Sequence, residues 1–376
     1  MRILLVGDYP DDALLGSAKV LYKLREEYNA LGHECDILFG KEIGARPANR
    51  QVRQAVGPLL AARAIAKRFG ERGPYDVVDV ASAEGFVFGA RRRLGAYKDT
   101  VFISRSNGLE HLNYQRMLDD HRAGLLRKPW TRRIWYPAAR LSQVEAAARL
   151  ADKLLLLNEG DREFAVRRKW KSPGDIEIVP HAVSSRFLDE SPAPDEPRGG
   201  GILFCGTWDR VKGIDYLVAG FDLLFKRGAR FNLTILGGGV SESIIRSSFP
   251  DHLQQLITVA PRAPEEEVMR HYRRHDALVF CSTYEGFGMV VIEAMSQRLP
   301  VVATPVGCAA SLVRDNQTGL VVAARDARAL ADAIVQLLED RDMCLRLADN
   351  AFQIVRDMTW RKTAVRTLAI YTGAKG

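Results

Sequence analysis

The chain has 376 residues, 47% of them hydrophobic and 27% charged, which is typical of a globular protein long enough for two domains. Its formal net charge of +8 suits nucleic acid, an anionic membrane or a phosphorylated substrate as partner, and the sign alone does not choose among them. No stretch approaches the roughly eighteen consecutive apolar residues of a transmembrane helix, so we expect none.

The chain starts with RILLVG (2–7), an apolar run too short for the core of a signal peptide and followed at once by Asp8. We interpret it as a first buried strand. Further apolar strand candidates are CDILFG (35–40), DVVDVA (76–81), TVFISR (100–105) and KLLLLN (153–158). Residues 17–32 carry apolar side chains at helical spacing and end on a glycine, as a helix does. Apolar strands alternating with helices predict a parallel sheet covered on both faces.

A second series of strand candidates follows residue 198, namely ILFCG (202–206), FNLTILG (231–237), ALVFCS (277–282) and PVVATP (300–305). The stretch 184–201 between the two series is rich in proline, glycine and acidic residues and is the best linker candidate. The sequence therefore predicts two doubly wound α/β units. The residues after Trp360 could form one more helix, whose docking partner the composition does not reveal.

The five cysteines, at positions 35, 205, 281, 308 and 344, form no CxxC pair and show no metal-ligand spacing with histidine. Several lie inside apolar strand candidates. We therefore expect buried free thiols in a reducing cytosol.

The segment STYEGFGMVVIEAM (282–295) places two carboxylates around a glycine-rich turn. ALVFCS predicts a strand, STYEGFG a loop and MVVIEAMSQ a helix, so the loop lies at the carboxyl end of a parallel strand, where such folds bind ligands. Gly286 and Gly288 would let a ligand approach the backbone, and the helix start suits a phosphate. Eight helical residues span about 12 Å, so Glu285 and Glu293 would serve two parts of an elongated ligand. Alternatively, Glu285 is an N-terminal helix charge and Glu293 a satisfied structural residue, and the spacing alone does not decide.

A second candidate is CGTWDRVKGIDYLVAGFDLL (205–224), in which a strand ends in glycine and a basic loop leads into a helix. Arg210 and Lys212 flank the turn, and a lysine at this position can reach a diphosphate as a point charge. The alternative is an exposed, solvated lysine.

The third candidate is the first strand-to-helix turn, GDYPDDALLGSAKV (7–20). It lacks both GxGxxG and the Walker lysine pattern, which argues against a dinucleotide or P-loop site. Gly16 and Ser17 at the helix start could approach a phosphate, or they could form an ordinary N-cap.

Together these segments resemble retaining GT-B glycosyltransferases of family 4. STYEGFGMVVIEAM resembles the family's E-x7-E block and GTWDRVKGIDYL its donor loop, with Lys212 and Gly213 in place. Further similarities are LPVVATPVG (299–307), NQTGLVV (316–322), MTW (358–360), RSNGLEHL (105–112) on the acceptor side and IVPHAV (178–183) between the domains.

This resemblance implies a GT-B fold, with two Rossmann-like doubly wound parallel-sheet domains facing a central cleft. We expect an N-terminal acceptor-binding domain over 1–183, a nucleotide-sugar-binding domain over 184–355, and a helix over 356–376 that packs back on the first domain. It also implies that Glu285 contacts the donor sugar and Glu293 the ribose, and that Lys212 neutralises the leaving diphosphate.

Further site residues follow from the same resemblance. The catalytic residues that it implies are Glu285, Lys212 and Asn107, the last at a position where the family often has histidine. The donor-binding residues are Gly16, Thr207, Arg210, Phe287, Gly288, Met289, Val290 and Glu293, with the amides of 287–289 holding the diphosphate. Glu110 is expected on the acceptor side. No cofactor and no bound metal are expected, because amides, helix dipole and lysine would take the place of a divalent cation.

The chain departs from the family pattern at several positions. Thr207 stands where the family usually has arginine, which removes a bidentate phosphate partner, and Arg210 is our candidate replacement. Ser311 replaces a usual glutamate, and His181-Ala182 replaces Asn-Gly. These departures concern donor affinity and closure, not the fold.

Residues 121–144 carry six Lys or Arg, no acid, two tryptophans and a tyrosine. Cationic and aromatic residues together suit an anionic membrane surface. The alternative is a solvated basic helix or an acceptor-side lid whose tryptophans pack on the core.

The function that we predict is transfer of a hexosyl unit from a nucleotide-diphosphate sugar, UDP-linked before GDP-mannose, to a glycan or lipid-linked acceptor of an envelope polysaccharide or lipopolysaccharide. We expect a cytoplasmic protein, peripheral at the inner face of the membrane if 121–144 contacts lipid. Nucleic acid is not an expected partner, because no helix-turn-helix, RRM, KH or zinc pattern is present. The alternatives are a non-catalytic relative that binds nucleotide sugar and a sugar-nucleotide epimerase of the same fold.

Overall fold

A computed structural model describes residues 1–44, 49–126, 130–193, 195–229 and 231–374, and only the backbone of residue 50 and residues 130–132. The chain divides into two compact units. Unit 1 comprises Met1–His181 and Trp360–Gly376, and unit 2 comprises Ala182–Thr359. These divisions lie close to the expected boundaries at 183/184 and 355/356, and the final helix groups with unit 1.

Unit 1 contains a six-stranded parallel sheet flanked by helices. Its strands are β1 (Arg2–Gly7), β2 (Glu34–Phe39), β3 (Val77–Ala81), β4 (Val101–Arg105), β5 (Lys153–Leu156) and β6 (Ile176–Ile178). Its helices up to His181 are α1 (Gly16–Ala30), α2 (Gly40–Ile43), α3 (Arg50–Arg72), α4 (Phe86–Arg93), α5 (Glu110–Arg122), α6 (Trp130–Tyr136), α7 (Ser142–Leu150) and α8 (Glu159–Arg167). A π-helical segment, Pro137–Leu141, joins α6 to α7.

Unit 2 repeats this architecture with a second six-stranded parallel sheet. Its strands are β7 (Ile202–Cys205), β8 (Leu233–Leu236), β9 (Ile257–Ala260), β10 (Ala277–Phe280), β11 (Val301–Ala303) and β12 (Leu320–Val321). Its helices are α9 (Ser185–Asp189), α10 (Ile214–Lys226), α11 (Glu242–Ser247), α12 (Asp251–Gln254), α13 (Glu265–Arg274), α14 (Met289–Ser296), α15 (Ala309–Leu312), α16 (Ala327–Glu339) and α17 (Arg341–Val355). The last helix of the chain is α18 (Trp360–Gly373).

The central strands are buried on both faces, which explains their nearly continuous apolar sequence. In β1, Ile3, Leu4, Leu5 and Val6 are all buried. The strand order is β2-β1-β3-β4-β5-β6 in unit 1 and β12-β11-β10-β7-β8-β9 in unit 2. The predicted α/β class with two doubly wound parallel sheets is thus confirmed.

The sequence analysis did not predict three of the strands, namely β6, β9 and β12. β12 has two residues and β6 three, and β9 has four, of which only Ile257 is buried, at the edge of its sheet. Short edge strands carry too little apolar signal to be recognised from sequence. The predicted linker 184–201 also contains a short helix, α9.

Helix α18 is joined to the sheet of unit 1 by a buried polar network. Arg105 Nη2 lies 2.5 Å from Asp79 Oδ2, and both side chains are at most 3% exposed. From α18, the hydroxyl of Tyr371 donates to the same Asp79 carboxylate, and Tyr28 Oη of α1 lies 3.3 Å from Tyr371 Oη. Burial opposes the charge of Arg105, but the Asp79 carboxylate outweighs it and holds the pKa of Arg105 above its usual value. The final helix therefore completes the core of unit 1.

The chain leaves unit 1 at His181 and re-enters it at Trp360, and these two side chains pack together. Their ring centroids are 6.0 Å apart, and both residues are buried. Burial, with a contribution from the positive charge of Arg105, lowers the pKa of His181 from 6.5 to about 3. The folded protein therefore holds this imidazole neutral.

We expect His181 to make the protein sensitive to mild acid. Below pH 6.5 the unfolded chain protonates this histidine while the folded chain does not, so the stability present above pH 6.5 is lost as the pH falls toward 3. Between pH 7.5 and 5 the loss should be about 2 kcal/mol. Urea titrations at both pH values should show this loss in the parent and not in H181N. Equal losses in the two proteins would contradict the assignment.

Candidate functional site

In unit 2 the candidate site lies where the strand order changes direction. β7, the first strand of the unit, pairs with β8 on one side and with β10 on the other. The chain thus winds outward from β7 in both directions, and ligands of open α/β sheets bind beyond the carboxyl ends of the strands at such a point. The loops that follow β7 and β10, together with helix α14, carry most of the predicted donor-binding residues.

These two loops are bonded to each other. The backbone N–H of Thr283 donates to the carbonyl oxygen of Val211 (2.8 Å), and the thiol of Cys281 donates to the carbonyl of Lys212 (3.3 Å). Burial raises the pKa of Cys281 to about 12, so the thiol remains protonated and can donate. Gly213 has φ = 75°, and a Cβ there would lie 1.9 Å from the Cys281 carbonyl oxygen. Only glycine allows the loops to approach this closely.

Lys212 and Glu285 form an ion pair across these loops. The ammonium group contacts Glu285 Oε2, and the two side chains are 24% and 19% exposed. Partial shielding from water strengthens such a pair relative to one on the open surface. The two residues that the sequence nominated independently, 73 positions apart, are therefore in direct contact.

Helix α14 begins directly beyond this pair. Gly288 is its N-cap, with φ = 92° in the left-handed region, and Met289 is its first residue. The first N–H groups of a helix have no intrahelical acceptor and form the positive end of its dipole. The carbonyl of Phe287 accepts from the Cys308 N–H (2.6 Å), which holds the loop against the segment after β11. The helix start is thus fixed beside Lys212 and Glu285.

Glu293 lies in the second turn of α14 and is 7% exposed. The hydroxyl of Tyr272, from α13, donates to Glu293 Oε2 (3.2 Å) and contacts Cys205 Sγ (3.7 Å) at the end of β7. Burial, followed by the nearby Cys205 and Glu293, raises the pKa of Tyr272 well above 10, so the phenol remains a donor. Glu285 and Glu293 thus have separate protein partners, and the roles predicted for them toward a ligand stay predictions.

The position of Arg210 differs from that of Lys212. Its guanidinium lies 3.4 Å from the carboxylate of Asp215, and the side chain is half exposed. The preceding loop is anchored by Trp208, whose indole N–H donates to Ser248 Oγ (3.1 Å) and whose ring packs on Phe204. Thr207 is exposed at the start of this loop.

Unit 1 has its own cavity at the corresponding place in its sheet. It has a volume of about 390 Å³ and is lined by residues that follow β1, β3 and β4, among them Tyr9, Ser82 and Asn107. The order of this sheet changes direction between β1 and β3. The cavity therefore also lies at a topological switch point.

Three charged side chains form the floor of this cavity. Arg140, from the π-helical segment, donates to Glu84 (2.7 Å) and to Glu110 (2.9 Å). Glu110 also accepts from Ser82 Oγ (2.8 Å) and Tyr136 Oη (2.8 Å). Burial raises the pKa of Glu84, whereas in Glu110 the attraction to Arg140 and these hydrogen bonds outweigh burial and lower the pKa.

Asn107 lies beside this floor, and of the two polar atoms of its amide only the nitrogen has a hydrogen-bond partner among the described residues. Its Nδ2 donates to Tyr9 Oη (3.1 Å), and its buried Oδ1 has no hydrogen-bond partner among the described residues. Burial raises the pKa of Tyr9 above its usual value, which keeps the phenol protonated. A buried acceptor without a donor is rare in folded proteins and fits a site that binds a hydroxyl or amine.

The family model named glycosyl transferases group 1 matches residues 193–354. This part of the chain is similar to that family. The match contains β7, β10 and α14, and hence the Lys212–Glu285 pair. The predicted donor-binding residues inside the matched region are Thr207, Arg210, Phe287, Gly288, Met289, Val290 and Glu293.

Curated relatives and solved structures extend the comparison. A D-inositol 3-phosphate glycosyltransferase of Nocardia farcinica is 33% identical over 193 residues, which are 48% of this chain and 42% of the relative. The chain thus spans less than half the length of the first relatives that it matches. A sucrose-phosphate synthase from Thermosynechococcus elongatus matches with a TM-score of 0.79 at 21% identity, over 99% of this chain and 98% of that one. Anabaena Alr3699/HepE, solved in complex with UDP and glucose, matches with a TM-score of 0.69 at 14% identity, over 99% and 100%. The fold is GT-B.

The remaining predicted residues lie in unit 1. Asn107 and Glu110 both line the cavity of about 390 Å³. Gly16 is the exposed first residue of α1, and its neighbour Leu15, not Ser17, is the N-cap, without a side-chain hydrogen bond. The N-cap alternative for this pair is therefore wrong, and a role of Gly16 toward the donor stays a prediction.

Sequence reasoning missed Glu84, Arg140 and Tyr9. Glu84 lies three residues after the strand candidate DVVDVA, and its place near a carboxyl end could have revealed it. Arg140 lies inside the basic stretch 121–144, where a cation in the sequence is interpreted as an exposed surface residue.

Only part of the basic stretch 121–144 is exposed at the surface. Arg140 and Tyr136 contact the carboxylates of the cavity, whereas Ile134 is 64% exposed. Residues 127–129 and the side chains of 130–132, including that of Trp130, lie outside the described residues. Membrane contact through 121–144 stays a prediction.

Two further features of the described residues concern membranes and metals. No helix there is both long and apolar enough to cross a bilayer. No group of three or more His, Cys, Asp or Glu residues there is arranged to hold a metal ion. Independence from metal remains a prediction.

Proposed function

We propose that the protein is a retaining, metal-independent glycosyltransferase of family 4 that moves a hexosyl unit from a nucleotide-diphosphate sugar to a hydroxyl of a glycan or lipid-linked acceptor. The observation that carries this proposal is the Lys212–Glu285 pair beside the start of α14, at the switch point of unit 2. A cation, a carboxylate and free amides together suit a ligand that carries both a diphosphate and sugar hydroxyls.

In the proposed reaction the bond between the anomeric carbon and the diphosphate oxygen breaks, and the electron pair leaves with the phosphate. The acceptor oxygen forms its bond to the anomeric carbon on the same face and loses its proton to the leaving phosphate. Lys212 and the amides of Gly288 and Met289 would stabilise the growing negative charge. Glu285 would bind the sugar hydroxyls and Glu293 the ribose.

A UDP-sugar is the proposed donor, with GDP-mannose second. In support, the GT-B relative Anabaena Alr3699/HepE has been solved with UDP-glucose. Binding of the diphosphate would draw Lys212 partly away from Glu285, because both anions compete for one ammonium. Arg210 would replace the arginine missing at 207 only if its pair with Asp215 opened, and a raised donor KM in R210A would support that role.

The proposed acceptor binds in the cavity of unit 1 and is rich in uncharged hydroxyls. Three acidic and two basic side chains line this cavity, so its net charge is negative. A phosphate would be repelled there, whereas the unpaired Oδ1 of Asn107 would accept a hydrogen bond from a hydroxyl. The curated relatives are named for D-inositol 3-phosphate, and we expect this chain to prefer a neutral acceptor. The pathway proposed is envelope polysaccharide or lipopolysaccharide synthesis, at the cytoplasmic face of the membrane.

Incubation with UDP- and GDP-sugars, with and without an acceptor panel that includes D-inositol 3-phosphate, tests this function. We expect nucleoside diphosphate release that needs an uncharged hydroxyl acceptor, survives EDTA and gives a product of unchanged anomeric configuration. UDP at a hundred times its Kd should stabilise the protein by about 2.7 kcal/mol. Product without acceptor would indicate an epimerase, and binding without turnover a non-catalytic relative.

A further inference from the structure

A second cavity of unit 1 lies at the opposite edge of its sheet, and the proposed function does not use it. Its volume is about 500 Å³. Its lining includes Asp152 and Asp175, which directly precede β5 and β6, and Arg92 and Arg93, which end α4. Because the strands are parallel, their amino ends meet at one edge, away from the cavity that contains Glu84 and Glu110.

The lining of this second cavity has an excess of positive charge. Five cationic side chains face two acidic ones, and the acids already have partners. Asp152 pairs with Arg92 (2.9 Å) and accepts from the Phe102 N–H (2.9 Å). Asp175 pairs with Lys153 (3.0 Å).

Two of the cations form no direct ion pair with a described residue. Among the described residues, the side chains of Arg93 and Lys171 make no ion pair and no hydrogen bond. Lys171 is half-buried, and burial, reinforced by Lys153 and Arg93, lowers its pKa against the opposing effect of Asp175. A half-buried ammonium group beside two other cations would be stabilised by an anion in the cavity.

We propose that this cavity binds a phosphate group between Arg93 and Lys171. Arginine and lysine are the side chains that recognise phosphate, the first through its planar fork and the second as a point charge. The volume exceeds that of an inorganic phosphate and is in the range of cavities that bind whole small molecules, so the phosphate would belong to a larger molecule.

Two kinds of ligand could supply this phosphate group, namely a soluble phosphate ester and the headgroup of an anionic phospholipid. Leu94, next to Arg93, is 88% exposed. An apolar side chain beside a phosphate site matches the boundary between headgroup and acyl chain. Variants of Leu94 therefore distinguish the two sources.

The experiment compares the full-length parent with R93Q/K171Q and with R63Q/K67Q, which loses the same charge at two exposed positions of α3 that do not line the cavity. Thermal unfolding is followed during titration with inorganic phosphate and with glycerol 3-phosphate, against chloride at equal ionic strength. Because phosphate also suits unit 2, the measured quantity is the difference between the parent and each variant. We expect R93Q/K171Q to weaken the response at least tenfold and R63Q/K67Q to keep it.

Sedimentation with phosphatidylcholine vesicles, with and without phosphatidylglycerol, provides the second measurement. A phosphate response with no pelleting that depends on Arg93 and Lys171 assigns a soluble ester. Pelleting that is lost in both R93Q/K171Q and L94Q, but not in R63Q/K67Q, assigns a lipid headgroup. Equal phosphate titration and equal pelleting in R93Q/K171Q and the parent would overturn the proposal. Sugar transfer should be unaffected in R93Q/K171Q, so the proposed function is tested separately.

Discussion

Replacing Glu285 by glutamine should lower kcat for sugar transfer by a hundredfold or more. The substitution keeps the shape of the side chain but removes the charge that pairs with Lys212 and that would bind the sugar hydroxyls. Loss of one preorganised electrostatic contact at a reacting centre typically costs a factor of about 10² to 10³. Steady-state release of nucleoside diphosphate measures the effect.

The matched control is D332N, which neutralises an exposed carboxylate paired with Arg227 in the same unit and should leave kcat unchanged. K212M should reduce kcat to a similar extent as E285Q. The double variant E285Q/K212M should be little worse than either single variant, because residues that act as one unit are not additive. An E285Q enzyme with parental kcat would remove Glu285 from the mechanism.

Replacing Asp79 by asparagine should destabilise unit 1 by about 3–5 kcal/mol, the usual cost of removing one partner of a buried ion pair. Arg105 is 3% exposed and would keep its charge without a carboxylate, and Tyr371 of α18 would lose its charged acceptor. Urea unfolding of the full chain measures the loss. D119N breaks the exposed pair with Arg122 and should change stability by less than about 1 kcal/mol.

The double variant D79L/R105M distinguishes the effect of the buried charges on stability from the effect of side-chain packing at Asp79 and Arg105. It removes both buried charges at similar volume, which is often neutral or stabilising. We expect it to recover most of the stability lost in D79N. If the double variant were less stable than D79N, the uncompensated charge would not be the cause.

Much of the fold could be predicted because its central strands are buried on both faces. Apolar runs such as RILLVG and ALVFCS carry their signal without any alternation to interpret. The strand order could not be predicted, since no local pattern shows that β10 pairs with β7 rather than with β9. For that reason only the resemblance to glycosyltransferases placed Lys212 and Glu285 in one site. Their direct ion pair was not predicted.

In unit 1 the candidate site was only half predictable. Asn107 and Glu110 were identified through a motif that resembles the acceptor-side loop. Arg140 was not, because a cation that neutralises two distant carboxylates looks the same in sequence as one that faces water. Its role depends on the π-helical segment, whose extra backbone residue per turn changes the direction of a side chain.

The positions at which the chain crosses between the units have a topological consequence. Val183 and Thr359 are paired by a parallel bridge, with the Val183 N–H donating to the Met358 carbonyl (2.9 Å). Unit 2 is therefore an insertion whose two ends are neighbours, the arrangement in which one domain can be excised from another with a short splice. A chain that ended at Thr359 would instead keep unit 2 whole. Unit 1 would then lack α18, the helix whose Tyr371 hydroxyl donates to Asp79 beside Arg105.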